Sequence, residues 1–143
     1  MLSSLAMTSS PAVQILLVEA QPDVVSILSA NFKNQNIENS MIVFRTAEEA
    51  VHYLYGRMAV EGAERHALPD LMVLDLQHLS EKPDEIVRKF QDHHDLRLIP
   101  LIVIDDTAEN WKEEKVFYLK AANDTNGLKK IIQKLQSSNK LKK

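Results

Sequence analysis

The sequence predicts an α/β fold in which a parallel five-stranded sheet is wound on both faces by helices. Three observations predict it. Five apolar runs occur that are too short for helices: Val13–Val18, Met41–Phe44, Leu71–Leu74, Leu101–Ile104 and Val116–Leu119. None alternates cleanly with polar residues, which is the mark of strands buried on both faces rather than one. The stretches between the runs carry apolar residues at helical spacing, so strand and helix alternate along the chain.

In order, strand one (13–18) is followed by a helix that opens at Pro22, a residue suited to the first helical position. Val24, Val25, Ile27, Leu28 and Phe32 form its stripe. Strand two (41–44) leads to a second helix striped by Ala47, Ala50, Val51, Leu54 and Met58. Strand three (71–74) precedes a third helix that opens at Pro83 and carries Ile86, Val87 and Phe90. Strand four (101–104) and strand five (116–119) are separated by a stretch whose helix is doubtful. The last helix carries Leu128, Ile131, Ile132 and Leu135. Residues 1–12 are expected to be a disordered N-terminal segment, 13–136 one domain, and 137–143 a basic C-terminal tail.

Composition narrows the chemistry. The 143 residues suit one domain, and a 45% hydrophobic content supports a packed core. There is no cysteine, which excludes disulfide scaffolds, thiolate zinc sites and thiol catalysis. Only Gly56, Gly62 and Gly127 occur, too few for a glycine-rich phosphate cradle. No apolar run approaches the ~20 residues that span a bilayer, and the first twelve residues lack the basic region of a secretory signal. A soluble, cytoplasmic protein is the expectation.

Charge is uneven. Residues 125–143 contain six lysines and no acid, so the rest of the chain, with 11 basic against 20 acidic residues, carries −9. A basic tail can meet nucleic acid, an anionic membrane or an acidic partner. No aromatic residue interleaves these lysines, as a single-strand binder requires. We read them as a solvated helix face that complements the negative end of the helix dipole. The partner expected is a protein, with no nucleic acid and no membrane.

In an open α/β sheet, ligands bind beyond the carboxyl ends of the strands. Strand one ends in Glu19, strand three in Asp75, strand four in Asp105 and Asp106, and strand five in Lys120. Carboxylates from three strands and one amine thus converge on one sheet edge, more than the mixed polar residues any strand needs on reaching solvent.

These features resemble the receiver domain of two-component response regulators, in particular the single-domain regulators paired with phytochrome-type kinases. ILLVEAQPD (15–23), TAEEAVHYLYGR (46–57), PDLMVLDL (69–76), DLRLIPLIVI (95–104) and YLK (118–120) carry the likeness, which runs from about Val13 to Leu135. The resemblance implies the flavodoxin-like strand order 2-1-3-4-5. It implies that Asp75 is the phosphate-accepting aspartate and Lys120 its lysine partner. It further implies that Glu19, Asp75 and the carbonyl of Gln77 hold Mg²⁺, a cation that takes oxygen ligands. A carboxylate attacks phosphorus only when cations neutralise the incoming oxygens.

The chain departs from the family pattern in five places. Ala20 replaces the second acid that ligates the metal, so a weakened Mg²⁺ site and no other cofactor is the expectation. Asp105 replaces the Ser/Thr whose hydroxyl holds the phosphoryl group, and a carboxylate there repels it. Leu79 and Pro83 replace the Pro and Gly of the turn after the acceptor. Ala121 follows Lys120 where the family has Pro. Residues 107–115 leave room for about two helical turns, so the family's fourth helix is expected shortened or absent. Phe117 stands at the switch aromatic without its hydroxyl partner. The expected protein is therefore a degenerate receiver, not an enzyme, with an impaired phosphorylation site. It acts on a protein partner such as a sensor histidine kinase or a second copy of itself. Lys120 is expected to be clamped between Asp75 and Asp105.

Other constellations are less informative. Adjacent His93 and His94 point about 100° apart on a helix and share a metal poorly. His66 and His78 complete this group of histidines; His78, in the loop after Asp75, reads as a surface residue rather than a phosphoryl-transfer group. Trp111 is a partner contact or a plug for the missing helix, and one of Tyr53 and Tyr55 is expected to pack while the other lies at the rim. The alternatives from another class are a flavodoxin-like small-ligand binder, which EAQPD (19–23) does not equip with a phosphate loop, and a receiver still weakly phosphorylated on Asp75.

Overall fold

The computed structural model describes residues 12–59, 68–77, 82–106 and 116–141. The strands are β1 (Val13–Val18), β2 (Asn39–Phe44), β3 (Leu71–Asp75), β4 (Leu101–Ile104) and β5 (Val116–Leu119). The helices are α1 (Pro22–Asn34), α2 (Ala47–Ala59), α3 (Pro83–Lys89), α4 (His94–Arg97) and α5 (Thr125–Ser137). The sheet order is β2-β1-β3-β4-β5, and every pairing is parallel. This is the flavodoxin-like arrangement expected from the sequence.

The central strands show why their apolar runs do not alternate. All five residues of β3 and all four of β4 are buried, because helices cover both faces. Ile15, Leu17, Val73, Ile102 and Ile104 pack with Leu28, Phe32, Leu128, Ile131 and Leu135 on the α1/α5 side. Leu16, Val18, Met72, Leu74 and Val103 pack with Ala50, Leu54, Ile86, Val87 and Phe90 on the α2/α3 side. Edge strand β2 alternates partly and is only half-buried.

Local chemistry sets the helix boundaries. α1 begins with Pro22, and Asn36 turns the chain out of the helix at φ 64°, a left-handed conformation that Asn tolerates. α2 opens on a Thr46 cap: the Glu49 amide donates to Thr46 Oγ1 (3.2 Å), and that hydroxyl donates to Glu49 Oε1 (3.0 Å). α4 is one turn that the sequence reading did not separate; the Asp95 amide donates to His93 Nδ1 at its start. α5 is capped by Asp124, whose Oδ1 accepts from the Gly127 amide at 2.9 Å. A Cβ on Gly127 would overlap the Asp124 carboxylate, so the cap needs glycine there.

Beyond α5 the chain turns at Asn139 (φ 60°), and the amides of Lys140 and Leu141 donate to the Leu135 carbonyl. Leu141 is thereby buried against the α1/α5 core, so the stretch read as a tail from 137 holds a core residue. The segment 1–11, Gly62, His66, His78, Leu79, Trp111 and the interval 107–115 lie outside the described residues.

Candidate functional site

The carboxyl edge of the sheet gathers most of the residues singled out in the sequence. Parallel register puts the ends of β1, β3 and β4 side by side: Val18 pairs with Leu74, and Asp75 with Ile104. The next residue of β1 is therefore Glu19, and the next of β4 is Asp105. Both are buried, at 2% and 8% exposure, as is Asp75 at 3%.

Three backbone amides shape this edge. The Gln21 amide donates to Glu19 Oε2 at 3.0 Å, the Gln77 amide to Asp75 Oδ1 at 3.0 Å, and the Asp105 amide to the Leu119 carbonyl at 2.9 Å. The first two orient the carboxylates; the third ties β4 to β5 beside Lys120.

Glu19 is the most perturbed group. Its carboxyl is raised from 4.5 to about 8, first by burial and next by the hydrogen bond it makes with the Asp75 side chain. The negative charge of Asp75 adds to the rise, while the Gln21 and Ala20 amides oppose it. The geometry agrees: Glu19 Oε1 is buried without an N–H or O–H group to accept from. A proton on the carboxyl turns two repelling anions into a donor and an acceptor.

The same orphan oxygen tests the fit to a divalent cation. Glu19 and Asp75 with the Gln77 carbonyl offer the oxygen donors that Mg²⁺ accepts alongside water. Ala20 is exposed and supplies no third carboxylate. The described residues hold no cluster of three or more His, Asp or Glu side chains placed to hold a metal ion. A cation bound here would supply positive charge for oxygens arriving at Asp75.

Lys120 stands apart from the pair. Its residue is exposed, and its contact with the site is through its backbone, whose carbonyl accepts from Gln77 Nε2 at 3.5 Å. The side chain hydrogen-bonded to Asp75 is Glu19 rather than a lysine held between Asp75 and Asp105. The physical reason is that a proton on Glu19 relieves the charge repulsion locally, without burying an ammonium. Every described peptide, including the one following Lys120, is trans. Phe117 is half-buried against the α1/α5 core.

Two contacts escaped the sequence reading. Gln77, named there for its carbonyl, also reaches across to the Lys120 loop with its side chain. Asn31, buried in α1, donates from Nδ2 to the carbonyls of Ala122 (3.0 Å) and Asp124 (3.4 Å). Its signal was visible: Asn31 sits three residues after Leu28 and next to Phe32, a polar residue on the helix's inward stripe. Tyr53 packs on Phe44 with ring centroids 5.2 Å apart, whereas Tyr55 is exposed and meets His93 edge-on at 5.6 Å.

No protein-family model matches the chain. It is 25% identical over 135 residues to the response regulator Rcp1 of Synechocystis sp., covering 90% of each chain. Among solved structures it is similar to the Mn²⁺-bound form of Rcp1, with a TM-score of 0.56 at 23% identity over 89% of this chain and 93% of that one. It is also similar to the phosphorylated cyanobacterial phytochrome response regulator RcpA, with a TM-score of 0.60 at 20% identity over 89% and 93%. The fold is that of a CheY-like receiver domain, and the sequence likeness is to a response regulator of two-component signalling.

Proposed function

We propose that the protein is a cytoplasmic single-domain receiver whose phosphorylation site is impaired and which acts by binding a protein partner such as a sensor histidine kinase. The observation that carries this reading is the state of Asp75. The acceptor position is 3% exposed and hydrogen-bonded to Glu19, whose carboxyl is raised to about 8. At neutral pH the pair keeps a proton where a receiver needs a cation. On the neighbouring strand the buried Asp105 stands where the resemblance expects a hydroxyl to receive a phosphoryl oxygen. An incoming dianion meets the Asp75 carboxylate beside a protonated Glu19, with one exposed lysine at the rim.

A second reading, weak phosphorylation on Asp75, is favoured by one observation. The buried Glu19 Oε1 lacks a donor, and a divalent cation satisfies such an oxygen as well as a proton does. Glu19, Asp75 and Gln77 are the residues that would hold it, and a relative of similar fold is Mn²⁺-bound.

Intact mass after incubation with Mg²⁺ and acetyl phosphate separates the two. The impaired-site reading expects no stoichiometric adduct of about 80 Da. An adduct that forms in full and disappears in Asp75→Ala would overturn it and establish the second.

A further inference from the structure

Among the described residues, a run of lysines without acidic neighbours in the chain lies away from the acidic edge, on the outer face of α5. This helix buries Leu128, Ile131, Ile132 and Leu135. It turns Lys129, Lys130, Gln133, Lys134 and Ser137 outward, and Lys140 follows, exposed, in the turn beyond. Lys130 and Lys134 are four residues apart and therefore neighbours on the helix surface, where like charges repel. No acidic residue occurs anywhere in 125–143 to offset them. The helix dipole accounts for Lys134 and Lys140 at the C-terminal end, but its effect fades beyond the last turn and does not reach Lys129 and Lys130. Between the lysines runs a shallow depression of about 430 Å³, lined by Lys130, Gln133, Lys134, Ser137 and Ser138.

We propose that this face docks an acidic segment of a partner protein, its carboxylates seated on Lys130 and Lys134 with Gln133 and Ser137 as hydrogen-bonding neighbours. The surrounding chemistry favours a protein over the other polyanions. A helix lying on a membrane needs apolar side chains beside its cations, and the apolar side of α5 is packed into the core. The exposed large apolar residues among those described, Ile27, Val43, Tyr55 and Leu98, belong to other elements. Single-stranded nucleic acid asks for aromatic platforms, and the described part of this face has none. A duplex spreads its charge over a broad surface, which the −9 carried by the rest of the chain would repel. A short acidic segment confined to the α5 face avoids that repulsion. The inference holds whether or not Asp75 accepts a phosphoryl group.

The test uses the full chain at about 150 mM salt, where exposed charges are well screened. A fluorescein-labelled octaglutamate peptide serves as the probe, beside phosphatidylserine–phosphatidylcholine vesicles and a short DNA duplex. Binding of the peptide is read by anisotropy, and contacts are mapped by carbodiimide coupling of carboxylates to amines. Saturable peptide binding is expected, with couplings concentrated on Lys130, Lys134 and their neighbours. Lys130→Glu with Lys134→Glu should weaken it at least about tenfold, and the neutral pair Lys130→Gln with Lys134→Gln should do so to a lesser degree with unchanged circular dichroism. Lys33→Glu on α1 should leave binding as it was. The proposal is overturned if vesicles or duplex bind more tightly than the peptide, if the Lys33→Glu variant loses as much, or if the peptide does not bind.

Discussion

Replacing Glu19 by Gln probes the buried acid pair directly. The amide keeps the shape of a protonated carboxyl and can donate to Asp75, but it cannot ionise. Glu19 titrates at about 8 in the folded chain against 4.5 for the free group. Its folded pKa is raised, so the stability it contributes is complete below about pH 4.5 and is lost as pH rises through about 8. At about 1.4 kcal/mol per pH unit the whole interval corresponds to roughly 5 kcal/mol. Water admitted by local opening limits the loss, so about 2–4 kcal/mol is expected between about pH 5 and about pH 9. The Glu19→Gln substitution removes that dependence. In urea, with a slope of about 1–3 kcal/mol per molar, the wild-type midpoint should fall by about 1 M or more relative to the variant across this range. Wild-type and Glu19→Gln midpoints that stay parallel from about pH 5 to about pH 9 would refute the shared-proton account of the site.

Three further outcomes follow from the same geometry. Binding of Mg²⁺ or Mn²⁺ should release a proton and tighten by about tenfold per pH unit up to about pH 8, which calorimetry in buffers of different ionisation enthalpy measures; pH-independent affinity would place the cation elsewhere. Gly127→Ala, which in an ordinary helix interior gains about 1 kcal/mol, should instead destabilise here, because the new Cβ meets the Asp124 carboxylate. In an Asp124→Ala background the same substitution should become neutral or stabilising, a sign change that a thermal double-mutant cycle detects. Asn31→Ala leaves the Ala122 and Asp124 carbonyls without their buried donor and should cost about 1–3 kcal/mol, with faster amide exchange in residues 120–127 than in β3.

The element order was readable from residues alone, and the reason is local. Leu71–Leu74 and Leu101–Ile104 are continuous apolar runs, too short for a helix and preceded by Pro69 and Pro100, which suits strands covered on both faces. Pro22 and Pro83 announced two helix starts. α4 was not legible, because a single turn such as His94–Arg97 has no periodicity to display. Leu141 was misjudged for a similar reason: one apolar residue among lysines is no pattern, and only the turn at Asn139 carries it back to the core.

The site divides along the same line. Which residues end the strands is a matter of counting, and Glu19, Asp75, Asp105 and Lys120 could be named in advance. Which of them touch depends on side-chain direction and burial. Glu19 shares a hydrogen bond with Asp75, while Lys120 stays exposed and meets the site through its carbonyl. The sequence by itself determined the sheet, the convergence of its acidic strand ends and the absence of a third carboxylate at Ala20, because these depend on residue type and spacing. Only the tertiary structure decided that Glu19 and Asp75 are both buried at that edge, that Asn31 and Gln77 hold the Lys120 loop, and that Leu141 folds back onto the core. Each of those depends on desolvation and on distances between residues far apart in the chain.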